Sequence, residues 1–286
     1  MSMKIAIASG KGGVGKSMLC SCLCMLFSKK IVAVDCDVDA PNLAVWLSET
    51  GNWGKKIPVS TSLRSVFDLK KCNSCGLCAQ NCRFGAITMK EKPKLNPFLC
   101  EGCSACKVIC PQGAIRMKKV QNGEIRVKKT KYGFSLLSGH LFPGETGSGK
   151  IVSEIKEEAS KLSYDLMLID SAPGTGCPVI ASLQGVDFVV LVTEPTLSGF
   201  SDLKRVLETV NHFNIPYGVV VNKWDIYKEK SKEIEKWAGD RFLGKISYDK
   251  GVFKTISELK PVLGSGLKIE KEIRQVFDNL PLKLSI

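Results

Sequence analysis

The chain has no hydrophobic run long enough to span a bilayer. Its longest apolar stretches, such as Phe188–Val192 and Ile215–Val221, fall far short of the ~20 residues a transmembrane helix needs. The opening MSMKIAIASG lacks the long apolar region and small-residue cleavage site of a secretory signal. It reads as a strand entering a glycine turn, and a cytosolic location is expected. Thiols stay reduced there, so the thirteen cysteines do not read as a disulfide framework. With 44% apolar and 24% charged residues over 286 positions, the composition is globular, neither disordered nor collagen-like.

Negative charge is also scarce, and unevenly so. The formal net charge is +13. Residues 64–131 alone hold fifteen Lys/Arg against four Asp/Glu, a net +11, which leaves +2 for the rest of the chain. Eight of the thirteen cysteines lie in this same block, between Cys72 and Cys110. A basic, cysteine-rich block beside a near-neutral body points to an inserted metal-binding module with its own acidic partner.

Around that block the pattern is regular. Strands are expected at Lys4–Ser9, Lys30–Asp35, Leu166–Asp170, Phe188–Thr193, Tyr217–Asn222 and near Phe242–Ser247. Helices are expected at Met18–Phe27, Lys150–Leu162, Ser198–Phe213, Tyr227–Gly239 and Leu267–Asn279. Repeated strand–helix units imply an α/β fold, a doubly wound parallel sheet. The expected division is one such domain over 1–64 and 131–286, with a small α+β insert over 65–130.

Between the first strand and helix lies GKGGVGKS, Gly10 to Ser17. It matches Gly-x4-Gly-Lys-Ser in the context that makes the pattern a phosphate loop. Its glycines let backbone N–H groups face phosphate oxygens, and the helix N-terminus favours negative charge. Gly10, Lys11, Gly12, Gly13, Val14, Gly15, Lys16, Ser17 and Met18 form the expected cradle. Lys16 reaches the β- and γ-phosphates, and the Ser17 hydroxyl binds Mg²⁺. A second glycine-rich stretch, GETGSGK at Gly144–Lys150, lacks the Ser/Thr and a preceding strand, and reads as a loop and helix start.

The early lysine, Lys11, makes KGGVGKS resemble the deviant phosphate loop of MinD/ParA-type ATPases. The resemblance implies that Lys11 is the signature lysine, which crosses a homodimer interface to the partner's nucleotide. VDCDVDAPNL (Val34–Leu43) is similar to switch I of that family. By the same resemblance Asp37 orients or deprotonates the attacking water and supports Mg²⁺, and the nearby acids Asp35 and Asp39 are further candidates to support the ion. DLMLIDSAPGTG (Asp165–Gly176) is similar to the second nucleotide motif and switch II, with Asp170 facing Mg²⁺. VVVNKWD resembles the family's base-binding segment, with Asn222 as the reader of adenine and Lys223 beside it. NKWD also fits the guanine-reading pattern through Asp225, so the base is left between ATP and GTP, with Lys11 favouring ATP. Cys177, seven residues beyond Asp170, matches a cluster-ligand offset in the nitrogenase iron protein; packing is the equal alternative.

The cysteine block contains a repeat. CNSCGLCAQNCRFGAI (Cys72–Ile87) matches CEGCSACKVICPQGAI (Cys100–Ile115) at an offset of 28. Both runs resemble the two-cluster bacterial ferredoxin pattern. That resemblance implies two [4Fe–4S] clusters, one on Cys72, Cys75, Cys78 and Cys110, the other on Cys100, Cys103, Cys106 and Cys82. Tetrahedral zinc on paired Cys-x2-Cys elements is the alternative. Arg83 stands where the first run would carry proline. Each all-thiolate cubane carries about −2, so a loaded insert stays near +7. An acidic protein or metallocofactor partner is therefore expected. Phe67, Phe84 and Phe98 are too few aromatics to favour nucleic acid.

Taken whole, the sequence reads as an ATP-hydrolysing homodimeric switch coupled to an iron–sulfur module. It would gate electron transfer or metallocofactor assembly. A cobyrinate diamide synthase-like amidoligase shares the nucleotide fold, but only His140 and His212 exist to serve its glutaminase. A MinD-like positioning role would want a membrane-binding helix. The stripe Ile269, Ile273, Val276, Phe277 and Leu280 reads instead as core, and membrane binding is not expected. A simple adaptor with negligible hydrolysis is a further alternative.

Overall fold

The computed structural model describes residues 2–281. The chain divides into two compact units. The first comprises 1–56, 125–140 and 148–286; the second comprises 57–124 and 141–147.

In chain order the strands are β1 Met3–Ser9, β2 Ile31–Asp35, β3 Lys55–Val59, β4 Ser62–Phe67, β5 Ile87–Met89, β6 Pro93–Leu95, β7 Ile115–Val120, β8 Gly123–Lys129, β9 Ser135–Leu141, β10 Leu166–Pro173, β11 Phe188–Thr193, β12 Tyr217–Asn222 and β13 Phe242–Ile246. The α-helices are α1 Lys16–Leu26, α2 Leu43–Trp46, α3 Leu77–Gln80, α4 Ala105–Ile109, α5 Ser148–Ser160, α6 Cys177–Leu183, α7 Leu197–His212, α8 Lys228–Ala238, α9 Gly251–Ser257 and α10 Ile269–Asp278.

The main sheet has the order β13-β12-β11-β1-β10-β2-β9-β8-β3. Every neighbouring pair from β13 to β9 is parallel. Parallel strands need both faces covered, and their sequences are correspondingly apolar without alternation. β11, FVVLVT, is buried at every position. On one face Ile5, Ile7, Leu168 and Val190 pack against Leu19 and Leu23 of α1 and Ile273 and Val276 of α10. Their neighbours Ala6, Ala8, Met167, Ile169, Val189 and Leu191 are equally buried. Each such aliphatic side chain contributes roughly 1.5–3 kcal/mol by leaving water.

The chain runs from β1 to β2 on one side, then returns through β10 and β11 to the other. The direction of winding therefore reverses around β1. At such a reversal the loops at the carboxyl ends of the strands part and leave a crevice. The phosphate loop follows β1 directly, so the topology places it in that crevice.

The second unit carries two short antiparallel pairs, β4 with β7 and β5 with β6. It begins at 57 and takes a return segment, 141–147, in place of the continuous 65–130 that composition suggests. Hydrogen bonds explain the difference. Ser62 Oγ and Asn122 Nδ2 both donate to the Thr146 carbonyl, at 2.7 and 2.8 Å, and Arg64 pairs with Glu145 at 2.5 Å.

The 28-residue repeat is visible in the backbone. Left-handed conformations fall at Ser74 and Gly102, at Gly76 and Ser104, and at Gly85 and Gly113. Each pair is related by the repeat offset. Serine and glycine exchange places at the first two pairs, and the exchange is one-sided in cost. A Cβ on Gly102 would strike the Leu63 carbonyl, whereas one on Gly76 would meet only the Gln80 side-chain amide, at 3.8 Å.

The apolar stripe of α10 is core: Ile269, Ile273 and Val276 are buried, as is Leu280 just beyond the helix, with Phe277 packed against them. Among the described residues no helix is long and apolar enough to cross a membrane. Truncating this stripe is thus expected to act on stability. Ile273→Ala should cost about 2–5 kcal/mol, measured by chemical denaturation.

Candidate functional site

The crevice at the end of β1 is a cleft of about 280 Å³. Residues 11–18 line it with Asp37, Asn42, Trp46, Asn222 and Lys223, and the loop 247–249 faces them. The loop's shape depends on glycine at two positions. Gly15 has φ +93°, and a Cβ there would fall on the Asn222 side-chain amide. A Cβ on Gly10 would collide with the backbone carbonyl of Asp202 on α7. Gly15 then caps α1, whose first residues are Lys16 and Ser17.

Two strand ends bring the acids together. β2 ends at Asp35 and β10 carries Asp170 in register beside it. Lys16 Nζ donates to Asp170 Oδ1 at 2.6 Å, and both side chains are nearly inaccessible. Burial opposes the charge on Lys16, but Asp170, helped by Asp35 and Asp37, holds its pKa above the usual lysine value. Among the described residues Asp170 Oδ2, which is buried, has no hydrogen-bond partner. A buried carboxylate oxygen left bare is costly, and a cation relieves that cost. The oxygen chemistry of Asp170, Ser17 and Asp37 suits a hard ion such as Mg²⁺.

Asp35 differs from the other acids. It is fully buried, and its oxygens accept from the backbone N–H of Asp37 at 3.2 Å and of Leu43 at 2.9 Å. It shapes the 36–43 loop instead of facing the cleft. Burial and the neighbouring Asp170 carboxylate push its pKa up to about 8. Asp37 lines the cleft, and burial raises its pKa also. Asp39 is exposed.

Lys11 lies in an ion-pair cluster that no motif signals. Its ammonium pairs with Glu194 Oε1 at 2.6 Å and donates to Ser198 Oγ at 3.2 Å and Thr196 Oγ1 at 3.4 Å. Lys223 Nζ takes the other Glu194 oxygen at 3.2 Å and the Gly13 carbonyl at 2.9 Å. Burial would raise the Glu194 pKa, but the two lysines outweigh it and lower it. Asn222 Nδ2 donates to the Val14 carbonyl at 2.8 Å, so this side chain also braces the phosphate loop. Asp225 accepts from the Tyr248 N–H at 2.7 Å and is not among the residues lining the cleft.

Of the remaining cysteines, Cys20, Cys22, Cys24 and Cys36 are buried and Cys177 is exposed. Burial pushes the Cys22 thiol up to about 12, which leaves it inert. Cys177 starts α6, next to Gly149 of α5, where a Cβ would sit 3.0 Å from the Cys177 carbonyl. At the other end of α6, Lys156 Nζ donates to the carbonyls of Ala181, Ser182 and Gln184 at 2.8, 2.9 and 2.6 Å. Burial lowers the Lys156 pKa to about 8.

The second unit holds two small cavities. Cys72, Cys75, Cys78 and Cys110 line one, with Gln112. Cys82, Cys100, Cys103 and Cys106 line the other, with Phe84, the repeat counterpart of Gln112. Peptide N–H groups point at the thiols in repeat-related fashion: Ala86 to Cys82 Sγ at 3.3 Å, Ala114 to Cys110 Sγ at 3.4 Å. Ser74 N–H adds a contact to Cys72 Sγ at 3.4 Å. Among the described residues no three His, Cys, Asp or Glu side chains converge to hold a single metal ion. Arg83 is exposed.

Residues 5–262 match the CobQ/CobB/MinD/ParA nucleotide-binding domain, and the chain belongs to that family of P-loop proteins. An uncharacterized protein of Methanocaldococcus jannaschii, MJ0578, is 41% identical over 97% of this chain and 96% of its own length. An iron–sulfur cluster carrier protein of Pyrococcus horikoshii is 29% identical over 35% of this chain and 39% of its own. The fold is shared with the septum site-determining protein MinD of Pyrococcus horikoshii, solved with Mg-ADP, at a TM-score of 0.61 and 16% identity. That match covers 99% of this chain and 97% of MinD.

Gly15→Ala should abolish nucleotide binding in equilibrium titration, because the added methyl and the left-handed backbone both oppose the loop. Asp35 binds its proton more tightly folded than unfolded, so the folded state holds the extra proton. Stability of the nucleotide-free protein should then fall as pH rises from about 4 to 8, and Asp35→Asn should flatten that slope in pH-dependent denaturation.

Proposed function

We propose that the protein is an ATP-driven homodimeric switch that gates electron flow through two resident [4Fe–4S] clusters to an acidic partner. One observation carries the reading: a phosphate-loop site and two cavities, each ringed by four thiols, occur in one chain. A single zinc ion needs its thiolates within about 2.3 Å of one point. A cubane takes one thiolate per iron and so needs them spread around a cavity. Each cavity takes three thiols from one Cys-x2-Cys-x2-Cys-x3-Cys run and the fourth from the other, the exchange that a two-cubane module requires, and this supports the cubane. The clusters would be held by Cys72, Cys75, Cys78 and Cys110, and by Cys82, Cys100, Cys103 and Cys106, and would supply one-electron chemistry. Peptide N–H groups aimed at three of these sulfurs fit resident, tuned clusters.

The chain's own groups do the rest. Backbone N–H groups of residues 12–17 and the start of α1 bind the phosphates. Lys16 exchanges Asp170 for phosphate oxygens. That frees the Asp170 carboxylate, which with Ser17 and Asp37 would hold Mg²⁺; such an ion would supply charge to offset the phosphates. Asp37 orients the attacking water at the cleft wall. Lys11 reaches the partner's nucleotide when two protomers close, and stabilises the charge that phosphoryl transfer spreads over the γ-phosphate. Asp225 is engaged by Tyr248, which supports ATP over GTP.

The connection between units supports coupling. The chain passes between them at four points. Three lie within strands β3, β8 and β9; the fourth runs from Gly147, φ +96°, into α5. α5 is fixed to α6 at both ends, by Gly149 against Cys177 and by Lys156 on three carbonyls. α6 directly follows the Asp170–Gly176 segment that nucleotide rearranges in switches of this kind. α5 is therefore the element that carries nucleotide state toward 141–147.

Cluster delivery is the second reading, favoured by the partial likeness to an iron–sulfur cluster carrier protein. Anaerobic purification should yield about eight irons per chain, and ATP should shift the reduced-cluster EPR signal. Lys11→Ala should lose nucleotide-dependent dimerisation and at least about tenfold in hydrolysis while keeping its iron. An iron-free chain, or zinc in its place, would reject the reading. Iron that leaves for an apo-ferredoxin acceptor during turnover would favour delivery.

A further inference from the structure

Glu194 stands at the end of β11, just before the helix cap of α7, where Thr196 Oγ1 accepts from the Gly199 N–H at 2.9 Å. Both of its oxygens are in use, one for each of two lysines from the rim of the phosphate loop. Its side chain is 14% exposed. Lys11 is thereby held within its own protomer, on three acceptors from 194–198. Lys223 is anchored independently on the Gly13 carbonyl.

The two lysines are therefore not equivalent. If Lys11 leaves, Glu194 keeps Lys223 and is not stranded as a lone buried charge, so the exchange is feasible. It still costs Lys11 a charge-assisted bond and two hydroxyl contacts. An acceptor that draws Lys11 across to a second protomer must carry enough negative charge to outweigh that set. A γ-phosphate adds charge beyond the two phosphates already served by Lys16 and the loop amides; a diphosphate does not.

We propose that Glu194 is a positioning residue that makes release of Lys11 conditional on a γ-phosphate, so that the protein closes on ATP and not on ADP. This rests on the dimeric-switch reading, and concerns how that switch tells its two nucleotides apart.

The full-length, cluster-loaded protein is tested by analytical ultracentrifugation with Mg²⁺ and either a non-hydrolysable ATP analogue or ADP. Wild type should dimerise with the analogue alone. E194Q should dimerise with ADP as well, and its half-saturating analogue concentration should fall about tenfold, the scale of one hydrogen bond to a charged group. E194D, which keeps the charge, should retain the wild-type discrimination. K11Q added to E194Q should abolish the gain. An E194Q protein that still demands the triphosphate, or whose gain survives K11Q, overturns the proposal. If E194Q fails to fold, Ser198→Ala removes an exposed acceptor of Lys11 and should lower the analogue requirement by a smaller factor; no change there also overturns it. A wild type that never dimerises with the analogue rejects the dimeric switch itself, a result distinct from either.

Discussion

The buried contact between Lys16 and Asp170 is the constraint on which the site turns. Two opposite charges sit where water is excluded, and among the described residues one carboxylate oxygen has no partner. A buried pair of this kind contributes little net stability, because desolvation consumes most of the attraction. Its use is to hold charge ready. On the proposed reading, phosphate would offer Lys16 a better acceptor and a cation would offer Asp170 a better partner, so nucleotide and metal would together resolve what each alone leaves incomplete. Asp35 sharpens this poise: its raised pKa keeps a second negative charge away from Asp170 near neutral pH.

The same balancing of charge recurs on the loop's outer rim. Glu194 stands between two lysines that would otherwise repel one another, and offsets half of the positive charge they place at the cleft. The parallel sheet makes both arrangements possible. β1 lies between β10 and β11, so the chain segments leaving those two strands reach the phosphate loop from either side. Asp170 belongs to the first and Glu194 follows the second.

Much of this is legible in the sequence, and the physical reasons are uneven. The parallel strands are short, buried on both faces and continuously apolar, so β1, β11 and β12 declare themselves. The phosphate loop declares itself because glycine is required where a Cβ would meet Asn222 or Asp202. α6 is not legible: seven residues opened by Gly176, with Pro178 in the first turn, are too few to carry a usable period. The return segment 141–147 is hidden because its attachment is made by Asn122 and Arg64, which carry no motif and, in the case of Arg64, lie far away in sequence. Glu194 is hidden for the same reason. Its role follows from Lys11 and Lys223, which stand far apart in sequence, and nothing local marks it. Asn222 reads as a base contact, whereas its amide also braces Val14, a task that only packing reveals.

The fourfold threading of the chain between its two units bears on how such a protein arose and how it can be dissected. A cassette dropped into one surface turn would enter and leave once. Here the cysteine-bearing unit is completed by a separate strip of polypeptide downstream, fastened through Thr146 and Glu145. Excising 57–124 would therefore leave that strip orphaned, and expressing 57–124 by itself would cost Asn122 its Thr146 acceptor and Arg64 its Glu145 partner. The two modules are stitched, not spliced, and a working fragment must include both stretches.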